Sequence, residues 1–443
     1  MMKPNIIFIL VDSMRADKCF NNKNIQTPLI DSLIKKGIYF ENAFSSSDYT
    51  ITGYGSIFTG MYPINAGING MTYHKIFSDN TNFITHLQKN GYHTYATMDS
   101  GLVELGFDVH FENDDQGYDR TSTNLHEGLA ETILKKIKIE SLTQPWFYLI
   151  HLDDLHIPIR VPNKFNDRNY SQRYDLIVEK IDNFLGKLLE LLDLKNTILI
   201  LTSDHGDYLL SDDVSKKNSS LSFKSKIRSK IPNSTYNYIS SIKRGAEHKI
   251  KEMKTHNSLE KRTLQTRTAK QRFLFDDLVH VPLLFSGFGV DSIGPVTDLV
   301  RSVDIFPTIL NILEIPFDFN NLDGKNLQPI FKENSVEIPS VYLENTIFET
   351  DTKNPEPCTG LRTSRYKYFR SLTNPKEKVH LFDLEQDPLE KTNIAAANLK
   401  IVEKLEHELC ELRDTLKQRF DKPTMNDEET KKVEEELKKL GYV

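Results

Sequence analysis

Cysteine is scarce: Cys19, Cys358 and Cys410 are the three in 443 residues, and they stand far apart. Such spacing forms neither a metal-ligand motif nor a disulfide framework, so a reducing compartment is the simpler expectation. Long hydrophobic runs are missing as well. The opening run IIFILV is only six residues, shorter than the apolar core of a secretion signal, and no small-residue cleavage site follows. No later segment approaches the roughly 20 apolar residues of a membrane helix. These absences predict a cytoplasmic chain with no membrane span, in which the sequons at Asn169, Asn218 and Asn233 carry no weight. An excess of positive charge is absent too. Against 62 Asp+Glu stand 56 Lys+Arg, a net charge of -6, which argues against a nucleic-acid partner. No internal repeat interrupts the pattern, and the sequence names no oligomeric state.

What is present is a series of short apolar runs that end abruptly in polar residues: NIIFILVD, WFYLIHLDD, NTILILTSDHGD and VPLLFSG. Runs of this kind fit strands buried on both faces of a parallel sheet. Between them lie helical patterns, TPLIDSLIKKG, NFITHLQKNG and YDLIVEKIDNFLGKLLELLDL, two of them closed by Gly. The alternation predicts an α/β fold, a doubly wound and mostly parallel sheet over residues 1–335. Residues 212–272 break the pattern with Lys, Arg, Ser and Asn, and read as a solvated basic insertion. Because it leaves the sheet after Asp204–His205, a lid over an anionic substrate is the alternative. The Tyr- and Phe-rich stretches GLRTSRYKYFRS and KVHLFDLEQDPLE predict a small antiparallel subdomain over residues 336–398. A helical tail over 399–443 places Val402, Leu405, Leu409, Leu412 and Leu416 on one packed face.

In a doubly wound sheet, ligands bind beyond the C-terminal strand ends. Asp12, His151 and Asp204–His205 each sit just past such an end, which predicts one site assembled from distant segments. Two carboxylates and an imidazole fit a divalent metal, with Mn or Zn favoured and Ca also compatible.

At these residues the chain resembles the sulfatase family of the alkaline phosphatase superfamily, almost from end to end. PNIIFILVDSMRAD is similar to the family's opening strand, IFTGMYP to its TG-x-x-P signature, DLHIP to its histidine-bearing turn and LTSDHGD to its metal-binding strand end. VHVPLLFSG, SVDIFPTILNIL, DGKNLQPIF and LFDLEQDPLEKTNIA follow in the family's order. The departures shape the expectation. Counting nine residues back from Thr59–Gly60 reaches Thr50, where the resemblance implies a Cys or Ser converted to formylglycine. Threonine cannot be so converted, because its β-carbon carries a methyl group. Gly53 and Tyr54 replace the Ser and Arg of that motif, Asp99 and Gly101 stand for the Lys and His of the GKWH block, and Ser13 replaces the second Asp of a DD pair.

Lipoteichoic acid synthases and lipid A phosphoethanolamine transferases of the same superfamily look alike in using a metal-bound Thr. That resemblance implies a single divalent ion on Asp12, Thr50, Asp204 and His205, with Thr50 as nucleophile and no formylglycine. The match of DLHIP to the sulfatase family's histidine-bearing turn implies His156 as general acid or phosphate-binding donor, with His151 the second choice. Lys270, Arg272 or Arg362 would meet the phosphate. Asp153, Asp154 and His156 hint at a second ion, but the D-x-x-x-H spacing of two-zinc phosphodiesterases is absent. The predicted activity is a metal-dependent phosphodiesterase or phosphotransferase acting on an anionic ester, a phosphorylated alcohol or glycan. A sulfatase and a non-catalytic family member are the alternatives.

Overall fold

The computed structural model describes residues 3–68, 82–104, 106–120, 122–138, 142–209, 273–291, 293–332, 335–346 and 356–417, together with Arg262 and Lys431. Nearly all of the basic insertion, including Lys270 and Arg272, lies outside the described residues, as does the end of the helical tail.

Eight strands form the large sheet: β1 Asn5–Val11, β2 Ile38–Phe44, β3 His93–Asp99, β4 Gly117–Tyr118, β5 Trp146–Leu152, β6 Thr197–Thr202, β7 Leu283–Gly287 and β8 Gly294–Arg301. Their order is β4-β3-β5-β1-β6-β7-β2-β8. Every pairing is parallel except those of β7, which runs antiparallel to both β6 and β2. The VPLLFSG run is thus a buried strand, as expected, but of the opposite direction. Burial on both faces explains its unbroken apolar character, and burial does not depend on strand polarity.

β1 shows how the sheet divides the interior. Ile6, Phe8 and Leu10 enter one core, with the helices Thr50–Thr59, Phe83–Lys89 and Ile305–Ile312. Ile7, Ile9 and Val11 enter the other, with the helices Pro28–Lys36, Ala130–Lys138 and Tyr170–Leu189. Each such side chain contributes about 1.5–3 kcal/mol on burial, so a strand apolar at every position is held from both sides. Within the second layer, two helices are joined by capping. The buried Asp182 on helix Tyr170–Leu189 accepts from Leu29 N and Ile30 N at 3.0 and 2.8 Å, satisfying first-turn donors of helix Pro28–Lys36.

A second, antiparallel sheet has the order β12-β11-β10-β9, with β9 Val341–Glu344, β10 Cys358–Arg362, β11 Tyr366–Ser371 and β12 His380–Asp383. The helix Leu399–Lys417 lays Leu405, Leu409 and Leu416 on it, the face expected from the sequence. Charged groups tie this sheet to the loop before β7. Lys367 on β11, fully buried, reaches Asp276 Oδ1 at 2.5 Å and Glu390 Oε1 at 3.2 Å. Next to it, Asp277 receives Arg15 Nη1 at 2.5 Å and also pairs with Arg262. No helix among the described residues is long and apolar enough to cross a membrane.

Candidate active site

β5, β1 and β6 are adjacent and parallel at the centre of the sheet, so their C-terminal ends deliver Asp153, Asp12 and Asp204 to one place. Asp12 N donates to Leu152 O at 2.9 Å, which carries the pairing one residue beyond the strand. Ser13 then turns with φ 62°, a left-handed conformation unfavourable for a non-glycine residue. The turn directs Ser13 N to Asp204 Oδ1 at 3.2 Å and Ser13 Oγ to Asp12 Oδ1 at 2.6 Å. The residue that replaces a second aspartate therefore organises the two that remain.

Thr50 opens the helix Thr50–Thr59, whose ten residues are all buried. Its hydroxyl lies 3.0 Å from Asp12 Oδ2 and 3.3 Å from His205 Nε2. Thr52 and Ser47, rival hydroxyls on the same segment, are engaged with each other at 2.7 Å, and Thr52 meets Thr346 at 2.6 Å. Close approach of this helix to the β6 end depends on glycine. A Cβ at Gly53 would lie 2.5 Å from Asp204 O; past the same strand end, a Cβ at Gly206 would lie 2.2 Å from Asp277 O, on the segment before β7. Gly53→Ala is expected to lower stability by about 1–3 kcal/mol and to weaken metal binding by displacing Asp204. Thermal unfolding and metal titration of the variant check both effects.

Four of the sequence-predicted groups thus come together: Asp12, Thr50, Asp204 and His205. The ligand atoms of Asp12, Asp204 and His205 lie within 4.8 Å of one another. His205 Nδ1 donates to Gly206 O at 2.7 Å, which fixes the ring with Nε2 facing Thr50, the nitrogen that a cation would bind in place of a proton. Asp204 Oδ2 is buried without a hydrogen-bond partner among the described residues. An oriented imidazole nitrogen and an orphaned carboxylate oxygen beside a second carboxylate are what a divalent cation requires, so the residues fit such an ion.

The electrostatics are those of charges packed together. Burial pushes the Asp12 carboxyl up, but His156, His205 and His151, with the Ser13 hydroxyl, outweigh it and hold it at about 2. Asp204, buried against Asp12, rises to about 6. Burial pulls the His205 imidazole down, yet Asp204 and Asp12 lift it to about 9.

His156 stands in the loop after β5. Its Nδ1 is 2.8 Å from Ile157 O and 3.2 Å from Arg120 Nη1. Burial lowers its pKa against the attraction of Asp12. His151 is 1% exposed, its Nε2 is 3.9 Å from Asp12 Oδ2, and both ring nitrogens lack hydrogen-bond partners among the described residues. Burial drops its pKa to about 4. It belongs to a second gathering, Asp12, His151 and Asp153, whose ligand atoms also lie within 4.8 Å of one another. Asp154, expected beside Asp153, instead accepts from Leu125 N at 2.9 Å.

Arg362 is engaged elsewhere. Its guanidinium lies over the Phe44 ring at 4.6 Å, its Nε is 3.8 Å from Asp276 Oδ2, and Nη1 donates to Ser364 O at 3.2 Å. That is a brace between the two sheets. The arginine near the acids is Arg120, with Nη1 3.2 Å from Asp153 Oδ2. Sequence reasoning missed it, because a single Arg after a two-residue strand has no periodicity to mark it.

A sequence profile of the sulfatase family matches residues 4–315. The chain belongs to the sulfatase family. Residues 267–415 further match the C-terminal region of N-sulphoglucosamine sulphohydrolase. An ulvan-active sulfatase of Formosa agariphila is 22% identical over 94% of this chain and 83% of its own length. Human arylsulfatase K is 33% identical over 31% of this chain, an alignment that spans only 26% of that relative. The sulfatase fold is also seen in solved structures. A 2-O glycosaminoglycan sulfatase superposes with a TM-score of 0.67 at 16% identity, covering 97% of this chain and 96% of its own. The phosphonate monoester hydrolase of Agrobacterium radiobacter does so with a TM-score of 0.66 at 17% identity, over 94% and 96%.

Proposed function

We propose that this sulfatase-family chain cleaves or transfers an anionic phosphate ester through a covalent intermediate on Thr50. The observation that carries the reading is the Thr50 hydroxyl: buried, first in its helix, and within 3.0 Å of Asp12 and 3.3 Å of His205. Its methyl-bearing β-carbon closes the formylglycine route on chemical grounds. A divalent cation held by Asp12, Asp204 and His205 would supply Lewis acidity and lower the pKa of an oxygen bound to it.

The chain's own residues do the rest. Asp12 Oδ2 accepts the Thr50 hydrogen bond and so aims an oxygen lone pair at the substrate. As the Thr50 Oγ1–P bond forms, the bond from phosphorus to the ester oxygen breaks, and the proton given up by the Thr50 hydroxyl ends on the departing alcohol. The N–H groups of the helix's first turn, the positive end of its dipole, favour the phosphate then attached there. Neutral His156 suits the second half, taking the proton of the water or sugar hydroxyl that attacks phosphorus and returns Thr50 to its alcohol form. Anionic esters of sugars fit the names of the relatives, which include ulvan-active and glycosaminoglycan sulfatases.

Sulfate ester hydrolysis is the second reading, favoured by the family match itself. Metal-loaded protein incubated with aryl phosphate, bis-aryl phosphate and aryl sulfate separates the two. Phenol release and the mass of the intact protein are the readouts. Phosphate turnover with a phosphoryl adduct on Thr50 is the expected result, and sulfate turnover without phosphate turnover sinks the first reading.

A further inference from the structure

Asp12, Asp153 and Asp204 are buried, Asp12 being shared between the gathering with Asp204 and the one with Asp153, and Asp99 ends β3. A substrate that carries negative charge into this cluster needs a fixed cation besides any metal, since buried charge is costly unless paired. Lys270 and Arg272 lie outside the described residues, and Arg362 is held between the sheets. Arg120 is placed for the role.

Its main chain is clamped at both ends. Arg120 N lies 3.4 Å from Asp99 Oδ2, and Arg120 O accepts from Arg160 Nη1 at 2.9 Å. The Asp99 carboxylate is itself fixed by Gly101 N at 2.9 Å. The side chain, 13% exposed, turns inward to Asp153, which shares the gathering of Asp12 and His151. A cavity of about 440 Å³ opens at this point, lined by Arg120, Asp99, Asp153, His156 and Arg160 among others. Arg160 is already paired with Glu127. An acidic residue at position 99 thus does not leave the site without a cation: it holds the strand-end loop that brings one in.

We infer that Arg120 is the anion receptor of this site, donating to the oxygens of the group that Thr50 attacks while the rest of the substrate fills the cavity. Guanidinium geometry suits this, because its N–H donors match two oxygens of a phosphoryl or sulfuryl group at once. The inference rests on the reading of Thr50 as nucleophile, but its test does not require turnover.

Calorimetric titration of metal-loaded protein with inorganic phosphate, and separately with inorganic sulfate, supplies that test. Arg120→Ala is expected to weaken binding by roughly 10- to 100-fold, the worth of a charge-assisted hydrogen bond, with metal content unchanged. Arg120→Lys is expected to recover part of the loss, and added guanidinium ion to recover part in Arg120→Ala. A structural role is separated by the double variant Arg120→Gln/Asp153→Asn, which removes both charges of the pair. It is expected to regain the wild-type melting temperature without regaining anion affinity. Equal affinity in wild type and Arg120→Ala, or no binding of either anion by wild type, overturns the inference. Arg120-dependent binding of sulfate but not phosphate would uphold Arg120 and remove the phosphate reading instead.

Discussion

Thr50→Ala is expected to abolish turnover, by roughly four to six orders of magnitude, as removal of a covalent nucleophile does. Thr50→Ser should retain most of the activity, because the hydroxyl and its helix position persist. The methyl group of Thr50 contributes packing in a helix whose residues are all buried, so the serine variant isolates chemistry from packing. The alanine variant should also take up no phosphoryl adduct, while binding metal through Asp12, Asp204 and His205. Comparing kcat, adduct mass and metal content across the three proteins makes the test specific. Wild-type turnover in Thr50→Ala would show that the hydroxyl is a bystander, and the non-catalytic reading of the family member would gain ground if no activity could be found at all.

Metal removal should have the second largest effect. Chelation is expected to stop turnover and to lower the melting temperature, with recovery on adding Mn or Zn. At a hundredfold excess over the dissociation constant, a bound ion stabilises the folded state by about 2.7 kcal/mol. The geometry adds a sign that a generic loss of structure would not give. Burial and Asp12 raise the Asp204 carboxyl from 3.8 to about 6. Between those pH values the folded state binds more protons than the unfolded one, so this residue's contribution to metal-free stability falls as pH rises through that window. Asp204→Asn keeps the oxygen that Ser13 N meets but not the charge. It should therefore stabilise the metal-free protein near neutral pH and destabilise the metal-loaded one. Thermal unfolding with and without metal reads out both directions, and destabilisation in both states would argue against a cation at this position.

The parts of the fold legible in the sequence are those where burial is two-sided. β1, β5 and β6 read as continuous apolar runs because covering helices lie on both faces, and the acids just past β1 and β6 followed from that reading. β2 and β8 carry polar residues such as Glu41, Asn42, Thr297 and Asp298, and their strand character does not stand out from the surrounding pattern. The direction of β7 was not legible, since apolar side chains report burial and not polarity. Site residues at strand ends were readable for the same reason that the strands were. Arg120 was not, because its importance lies in a backbone clamp by Asp99 and Arg160, two contacts that no spacing in the sequence encodes. His156 could be located, but its lowered pKa depends on burial, which only the folded chain displays.

The buried charges around Asp276 and Asp277 have a practical consequence for anyone preparing this protein. Arg15 reaches Asp277 and also donates to Asp207 O at 3.1 Å, while Gly206 N donates to Leu278 O at 2.6 Å, so one short segment supports the loop that carries Asp204 and His205. The same segment is neutralised from the other side by Lys367 of the small sheet. A recombinant fragment ending near residue 335 would remove that lysine together with the small-sheet side chains packed around Phe275 and Val279. Proteolytic clipping before β9 should likewise inactivate at a distance, even though every residue proposed for chemistry would still be attached.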